Sequence, residues 1–248
     1  MGKKLTALLL GIVCFVQSPV LIAAAEKLNR FELEKTGDII WDVKMDEKVI
    51  ALTFDDGPHP IYTPQILELL SKYNAKATFF VIGSRVEKYP SIVKREFEEG
   101  HEIANHTYSH EFKKHLITPE FLKSELRKTE KSIYQVTGQR PVFYRPVGGQ
   151  YTMPIIKAAN DEGYRVMMWS WHQDTEDWNK PRTDKIVRSV LTDIAPGNVI
   201  LFHDAGGDRS KTVKALKIIL PALARQGYEF VTLSELLQRA GIDDVPQL

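Results

Sequence analysis

From residue 49 onward the chain alternates β-branched or aromatic runs with helix-patterned runs about seven times, and this rhythm restricts the fold more than any other feature. The runs "VIALTF" (49–54), "ATFFVIG" (77–83), "HEIANH" (101–106), "VFYRP" (142–146), "YRVMMWSW" (164–171) and "NVILFHD" (198–204) read as strands. "EFVTLSELL" (229–237) reads as a strand running into a final helical turn. Between them lie helical segments at 63–73, 90–100, 118–138, 153–163, 183–194 and 211–227. The first has apolar positions at Ile66, Leu67, Leu69 and Leu70, with Thr63 expected as its cap and Pro64 in its first turn. Gly100 and Gly138 are expected to stop the second and third. Strand–helix alternation implies an α/β fold with a parallel sheet, open or closed into a barrel. In either form, the loops that follow the strand C-termini make the active face.

No internal repeat or low-complexity linker interrupts the rhythm, so residues 49–237 read as one domain, followed by a tail at 238–248. Residues 26–48 form a charged lead-in, with a short strand expected near Ile39 to Trp41. A composition of 43% hydrophobic and 26% charged residues is that of a globular protein. The net charge of +1 gives no sign of a nucleic-acid binder acting through bulk electrostatics. Lys3 and Lys4, the apolar run from Leu5 to Val16, Pro19 and Ala23-Ala24-Ala25 read as a signal peptide over residues 1–25, cleaved after Ala25. The alternative is an uncleaved membrane anchor. Cys14, the single cysteine, lies inside this segment, so the mature chain would be an exported protein without disulfides. With no apolar stripe demanding a partner, the default is a monomer.

The chemically capable side chains fall at the strand ends. Asp55 and Asp56 follow the first strand, His106 and His110 the third, and Arg145 ends the fourth. Asp174 and Asp177 follow the fifth, and His203 ends the sixth. The histidines of "HTYSH" are four apart, which on a helical turn would set both imidazoles on one face. Two His and one Asp make a typical open metal site, with positions left for water or substrate. Such a site would give the adjacent acids of "LTFDDGP" different work: one neutralised by an ion, the other left as a free base. A plain turn at Asp56-Gly57-Pro58 is the alternative.

The chain resembles the polysaccharide deacetylases of carbohydrate esterase family 4, the NodB-homology group. "TFDDGP" (53–58) matches the family's first motif and "HTYSH" (106–110) its second. "RPVGG" (145–149) corresponds to the third, "DTEDW" (174–178) to the fourth and "LFH" (201–203) to the fifth. The resemblance implies a distorted (β/α) barrel of about seven parallel strands. It implies that Asp56, His106 and His110 bind a divalent metal, zinc in most of the family, with cobalt or manganese as alternatives. It makes Asp55 the general base, held charged by Arg145, and His203 the general acid, paired with Asp177. Trp178 and Leu201 would line the acetyl pocket, and the N–H of Gly148 would complete an oxyanion hole.

The third motif departs from the family, with Val147 where Pro is usual and Gly148 where an aromatic residue is usual. A freer loop and a more open substrate groove are expected there. Asp174 is expected either to bind sugar or to shape its loop. Asp204 is expected to be a turn or cap residue. Strand alternation would aim Trp169 and Trp171 at one face, where core packing is expected. The function implied is a secreted or wall-associated N-deacetylase of N-acetylglucosamine polymers, with peptidoglycan the first choice of glycan partner and chitin oligomers the second. An acetyl xylan esterase would use the same site. A reading of another class is an inactive glycan-binding wall protein.

Overall fold

The computed structural model describes residues 30–111, 113 and 116–242. The expected signal peptide with Cys14, the first residues of the lead-in, His115 and the end of the tail at 243–248 lie outside the described residues. The lead-in contributes a helix, α1 (Arg30–Thr36), and then β1 (Ile39–Ile40), the anticipated short strand. Helix α1 leaves little trace in the sequence because only Leu33 is buried. Charge pairs of Arg30 with Glu34 and of Lys35 with Glu32 lie along it.

The main strands are β2 (Val49–Asp55), β3 (Thr78–Val81), β4 (Glu102–Asn105), β5 (Phe143–Tyr144), β6 (Arg165–Met167), β7 (Val199–His203) and β8 (Glu229–Val231). Every pairing among them is parallel, in the order β1-β6-β5-β4-β3-β2-β7, with β8 on the first half of β2. Between β6 and β7 the ring is completed by irregular chain. The Ser170 N–H donates to the Val199 carbonyl at 2.9 Å, and Asp174 bridges Leu201. The result is the distorted (β/α) barrel of about seven parallel strands. Strand β6 is shorter than its apolar run, and at its end the carbonyls of Met167 and Met168 accept from the Arg145 side chain instead of a neighbouring strand.

Helices α2 (Tyr62–Ser71), α3 (Gly83–Lys88), α4 (Pro90–Glu98), α5 (Pro119–Thr137), α6 (Met153–Asp161), α7 (Thr183–Leu191), α8 (Ser210–Arg225) and α9 (Leu233–Arg239) surround the strands. Helix α5 is built as its sequence suggests: the Thr118 hydroxyl accepts from the Phe121 N–H, and Gly138 ends it at φ 73. Helix α2 is not. It begins a residue early and is not capped by Thr63; the Nδ1 of His59 accepts the N–H groups of Ile61 and Tyr62 instead. Thr63 is buried, its hydroxyl donating to the Asp204 carboxylate and accepting from the His59 N–H. Asp204 lies in a bend, as expected of a turn residue, and is also a buried anchor for the start of α2; burial pushes its carboxyl up to about 7.

Strand β2 is buried along its whole length, so it reads as one apolar run. Its alternation sorts two cores. Ile50, Leu52 and Phe54 pack outward with residues of α2, α7 and α8, and Phe54 stacks on Phe79 and Phe202. Val49 and Ala51 face inward with Phe80, Phe143, Met167 and Val199. The same period of two carries Thr53 and Asp55 to the inward face, at the barrel's mouth.

One core group is out of keeping with its surroundings. Glu96 of α4 is fully buried, neither carboxylate oxygen has a hydrogen-bond partner among the described residues, and burial raises its pKa well above the usual carboxylate range. Its penalty is absent below the unfolded-state value of 4.5 and grows as pH rises toward the folded-state value. Glu96→Met should therefore stabilise the protein by about 1–3 kcal/mol at pH 8 and by much less at pH 4. Thermal unfolding at the two pH values checks this; an equal shift at both would sink it.

Candidate active site

Asp55 ends β2 and meets the guanidinium of Arg145, which follows β5. Nη1 of Arg145 donates to Asp55 Oδ1 and to Thr53 Oγ1, both at 2.8 Å. Nε and Nη2 donate to the carbonyls of Met167 and Met168 at 3.0 and 2.6 Å. The group is fully buried and lies 4.0 Å above the Phe80 ring. A buried cation this well satisfied fixes Asp55 in place.

Asp56 is the next residue, and on a regular strand it would point the other way. Its φ of 75 breaks the alternation and turns its carboxylate toward His106 and His110. The Nε2 of His110 lies 2.9 Å from Asp56 Oδ1 and that of His106 3.6 Å from it. One ligand atom from each of these three residues lies within 4.8 Å of the others. The Nδ1–H of His106 donates to the Arg145 carbonyl at 2.8 Å, which leaves its Nε2 lone pair facing Asp56. Burial keeps the His106 imidazole neutral despite the Asp55 charge. Burial tends to raise the Asp56 carboxyl, but the His110 hydrogen bond and the nearby imidazoles outweigh it and hold it well below the usual range. Two imidazoles and a carboxylate form a donor set that fits a divalent ion such as zinc.

The histidines do not converge through a helical turn, as their spacing suggested. Residues 106–110 are a loop, with Thr107 at φ 69 and His110 at φ 56. The Thr107 N–H bonds the Asn105 side chain and the His110 N–H bonds the Thr107 hydroxyl, which hold that shape. Left-handed backbone at Thr107 and His110 costs energy that these local bonds offset.

On the opposite side, the Nδ1 of His203 pairs with Asp177 Oδ1 at 2.7 Å. Burial alone would lower the His203 pKa, but the Asp177 bond and charge, with Asp55 and Asp56 beyond, raise it to about 9. Asp55, Asp56, His106, His110 and His203 open onto one cleft of about 350 Å³, with Arg145 and Asp177 buried behind them. Trp169, Trp178 and Leu201 form its apolar wall, while Gly148 and Gly149 form a rim without side chains. Gly149 needs that bareness, since a Cβ there would lie 2.7 Å from the Trp169 ring. Asp174 lines the same cleft and also shapes its loop by accepting the Glu176 N–H. Every candidate site residue is thus brought to one mouth of the barrel. Trp171 is not packed in the core: strand β6 stops at Met167, alternation lapses, and its side chain is 77% exposed.

Some supports carry no sequence signature. Thr53 shares the Arg145 guanidinium with Asp55, and only the inward period of β2 could have pointed to it. Gly206 lies against Asp56, where a Cβ would collide with Oδ2. Thr212 and the buried Arg209 grip the Asp177 segment from the start of α8.

Residues 42–167 match the polysaccharide deacetylase family. A peptidoglycan-N-acetylglucosamine deacetylase of Bacillus cereus is 47% identical over 211 residues, covering 85% of this chain and 98% of that one. A crystal structure of a peptidoglycan N-acetylglucosamine deacetylase, in complex with 4-naphthalen-1-yl-N-oxidanyl-benzamide, superposes with a TM-score of 0.79 at 38% identity, over 84% of this chain and 96% of that one. A family 4 acetyl xylan esterase from Clostridium thermocellum, in complex with a cobalt ion, gives a TM-score of 0.71 at 34% identity, over 78% and 92% of the two chains. With fold, strand-end chemistry and these relatives in agreement, the chain belongs to the polysaccharide deacetylase family.

Proposed function

We propose that this protein is a metal-dependent N-deacetylase that removes acetyl groups from N-acetylglucosamine residues of peptidoglycan. The observation that carries the reading is convergence. The Asp56–His106–His110 donor set, the Arg145-held Asp55 and the Asp177-held His203 all line one cleft. The 47% identity to a peptidoglycan-N-acetylglucosamine deacetylase supports that choice of glycan. The lysine-flanked apolar N-terminal segment supports export to the wall, and a monomer is proposed.

Asp56, His106 and His110 would hold the ion, which when bound supplies Lewis acidity to the acetyl carbonyl and acidity to a water. Asp55 accepts the proton of the attacking water as it adds to the acetamide carbon. Arg145 pairs with Asp55 and stops its carboxylate from rotating away. The Gly148 N–H is assigned to the developing oxyanion. His203, kept protonated by Asp177, gives its proton to the sugar nitrogen as the C–N bond breaks, releasing acetate and a free amine. Leu201 and the Trp178 face receive the methyl group, and Asp174 is placed to bind a sugar hydroxyl.

Acetate release should be measured in parallel on purified peptidoglycan, N-acetylglucosamine oligomers and acetylated xylan, with metal-stripped and zinc-restored protein. The expected result is metal-dependent release from peptidoglycan. Release from the free oligomers alone moves the substrate to chitin, and release from xylan alone makes the protein an O-deacetylase. Glycan binding with no release from any of the three would overturn the enzymatic reading.

A further inference from the structure

We infer that Thr212 is a positioning residue for proton delivery to the leaving group, acting through Asp177 on His203. The inference rests on the reading of His203 as the proton donor.

Asp177 sits in a single 3-10 turn, Asp177–Asn179, flanked by Glu176 at φ 49 and Lys180 at φ 53. A turn this short, set between two left-handed residues, has little backbone pairing of its own to fix its orientation. Its bearing is set from outside. The backbone N–H of His203 donates to Asp177 Oδ2 at 3.0 Å, and the Thr212 hydroxyl donates to the same oxygen at 2.7 Å. Arg209 reaches across from the residue before α8, its Nη1 donating to the Asp177 carbonyl at 3.0 Å. With Oδ2 held by two donors, Oδ1 is left to the Nδ1 of His203 at 2.7 Å. That contact fixes the imidazole, and His203 lines the cleft.

In α5, the hydroxyls of Thr129, Ser132 and Thr137 bond back to carbonyls four residues earlier in their own helix. Thr212, 1% exposed, lies in the first turn of α8 with no helical carbonyl four residues behind it, and its hydroxyl donates to another element. A side chain needed only to pack there would be served equally by Val, which has the same shape and no hydroxyl. The hydroxyl therefore acts on the rotation of the Asp177 carboxylate, and through it on the aim of the imidazole.

The test compares wild type, Thr212→Val and Thr212→Ser, all zinc-loaded, on two substrates. An N-acetylglucosamine polymer has an amine leaving group that must be protonated, whereas 4-nitrophenyl acetate has a leaving group that departs as the anion. For Thr212→Val we expect kcat on the glycan to fall about 10–100-fold with KM unchanged, and the aryl ester rate to stay within about twofold. Thr212→Ser should restore the glycan rate. An unchanged glycan rate in Thr212→Val, or an equal loss on both substrates, overturns the inference. The hydrogen-bonded Nδ1 proton of His203, followed by NMR, gives a readout independent of turnover. It should be lost in Thr212→Val and regained in Thr212→Ser; its persistence in Thr212→Val overturns the inference. If wild type deacetylates no glycan, the proposed function falls, and this resonance still decides the part played by Thr212.

Discussion

Asn in place of Asp55 should leave a folded protein that binds its metal and turns over at least ~1,000-fold more slowly, as loss of a general base predicts. The substitution keeps the shape and keeps an oxygen facing Nη1 of Arg145, so the surrounding hydrogen bonds have a partner. It removes the basic site and nothing from the Asp56–His106–His110 donor set. Asp56→Asn should fail differently, losing metal and activity together, because Asp56 supplies the only carboxylate of that set. Metal content by elemental analysis, beside acetate release, separates the two. A rate for Asp55→Asn within tenfold of wild type would remove Asp55 from the role of base.

The second large effect is on stability. Arg145→Met should destabilise the fold by about 3–5 kcal/mol, the usual cost of stranding one partner of a buried ion pair. The change deletes four hydrogen bonds and leaves Asp55, Thr53 and two backbone carbonyls without their donor. Arg145→Lys should recover little. An ammonium cannot reach the Asp55 carboxylate, the Thr53 hydroxyl and both carbonyls from one flat fork, nor stack on Phe80 in the same way. Urea denaturation of both variants gives the numbers; a loss under about 1 kcal/mol for Arg145→Met would show that the barrel interior tolerates the lone carboxylate.

How much of this was legible in the sequence depends on which force made each feature. Apolar periodicity made the strands and long helices, so "VIALTF" and the 118–138 segment could be read directly. Helices α1 and α3 are short and bury few side chains, so periodicity had little to mark. Chemical identity carried the site: Asp55, Asp56, His106, His110, Arg145, Asp177 and His203 all reach one cleft or the groups that line it. Local backbone geometry was the weak link. The His106–His110 spacing suggested a helical turn, but loop conformations with positive φ bring the rings together. Thr63 looked like a cap by its place in the chain, while a tertiary contact with Asp204 decided its use. Trp171 followed strand logic past the point where the strand had ended. Thr53, Gly206 and Thr212 were silent because their importance lies in what they touch, not in what they are.

The left-handed backbone at Asp56 bears on how portable such a site is. Anyone transplanting the Asp-Asp pair onto a regular strand of another scaffold would obtain one carboxylate in the cavity and the other on the far face of the sheet. The graft must also import the break in the pleat, the bare Gly206 backbone that makes room beside Asp56, and the Thr63–Asp204 brace under the turn. The transferable unit is thus a bent corner assembled from three separate parts of the chain, and copying the two acids alone would carry over none of its geometry.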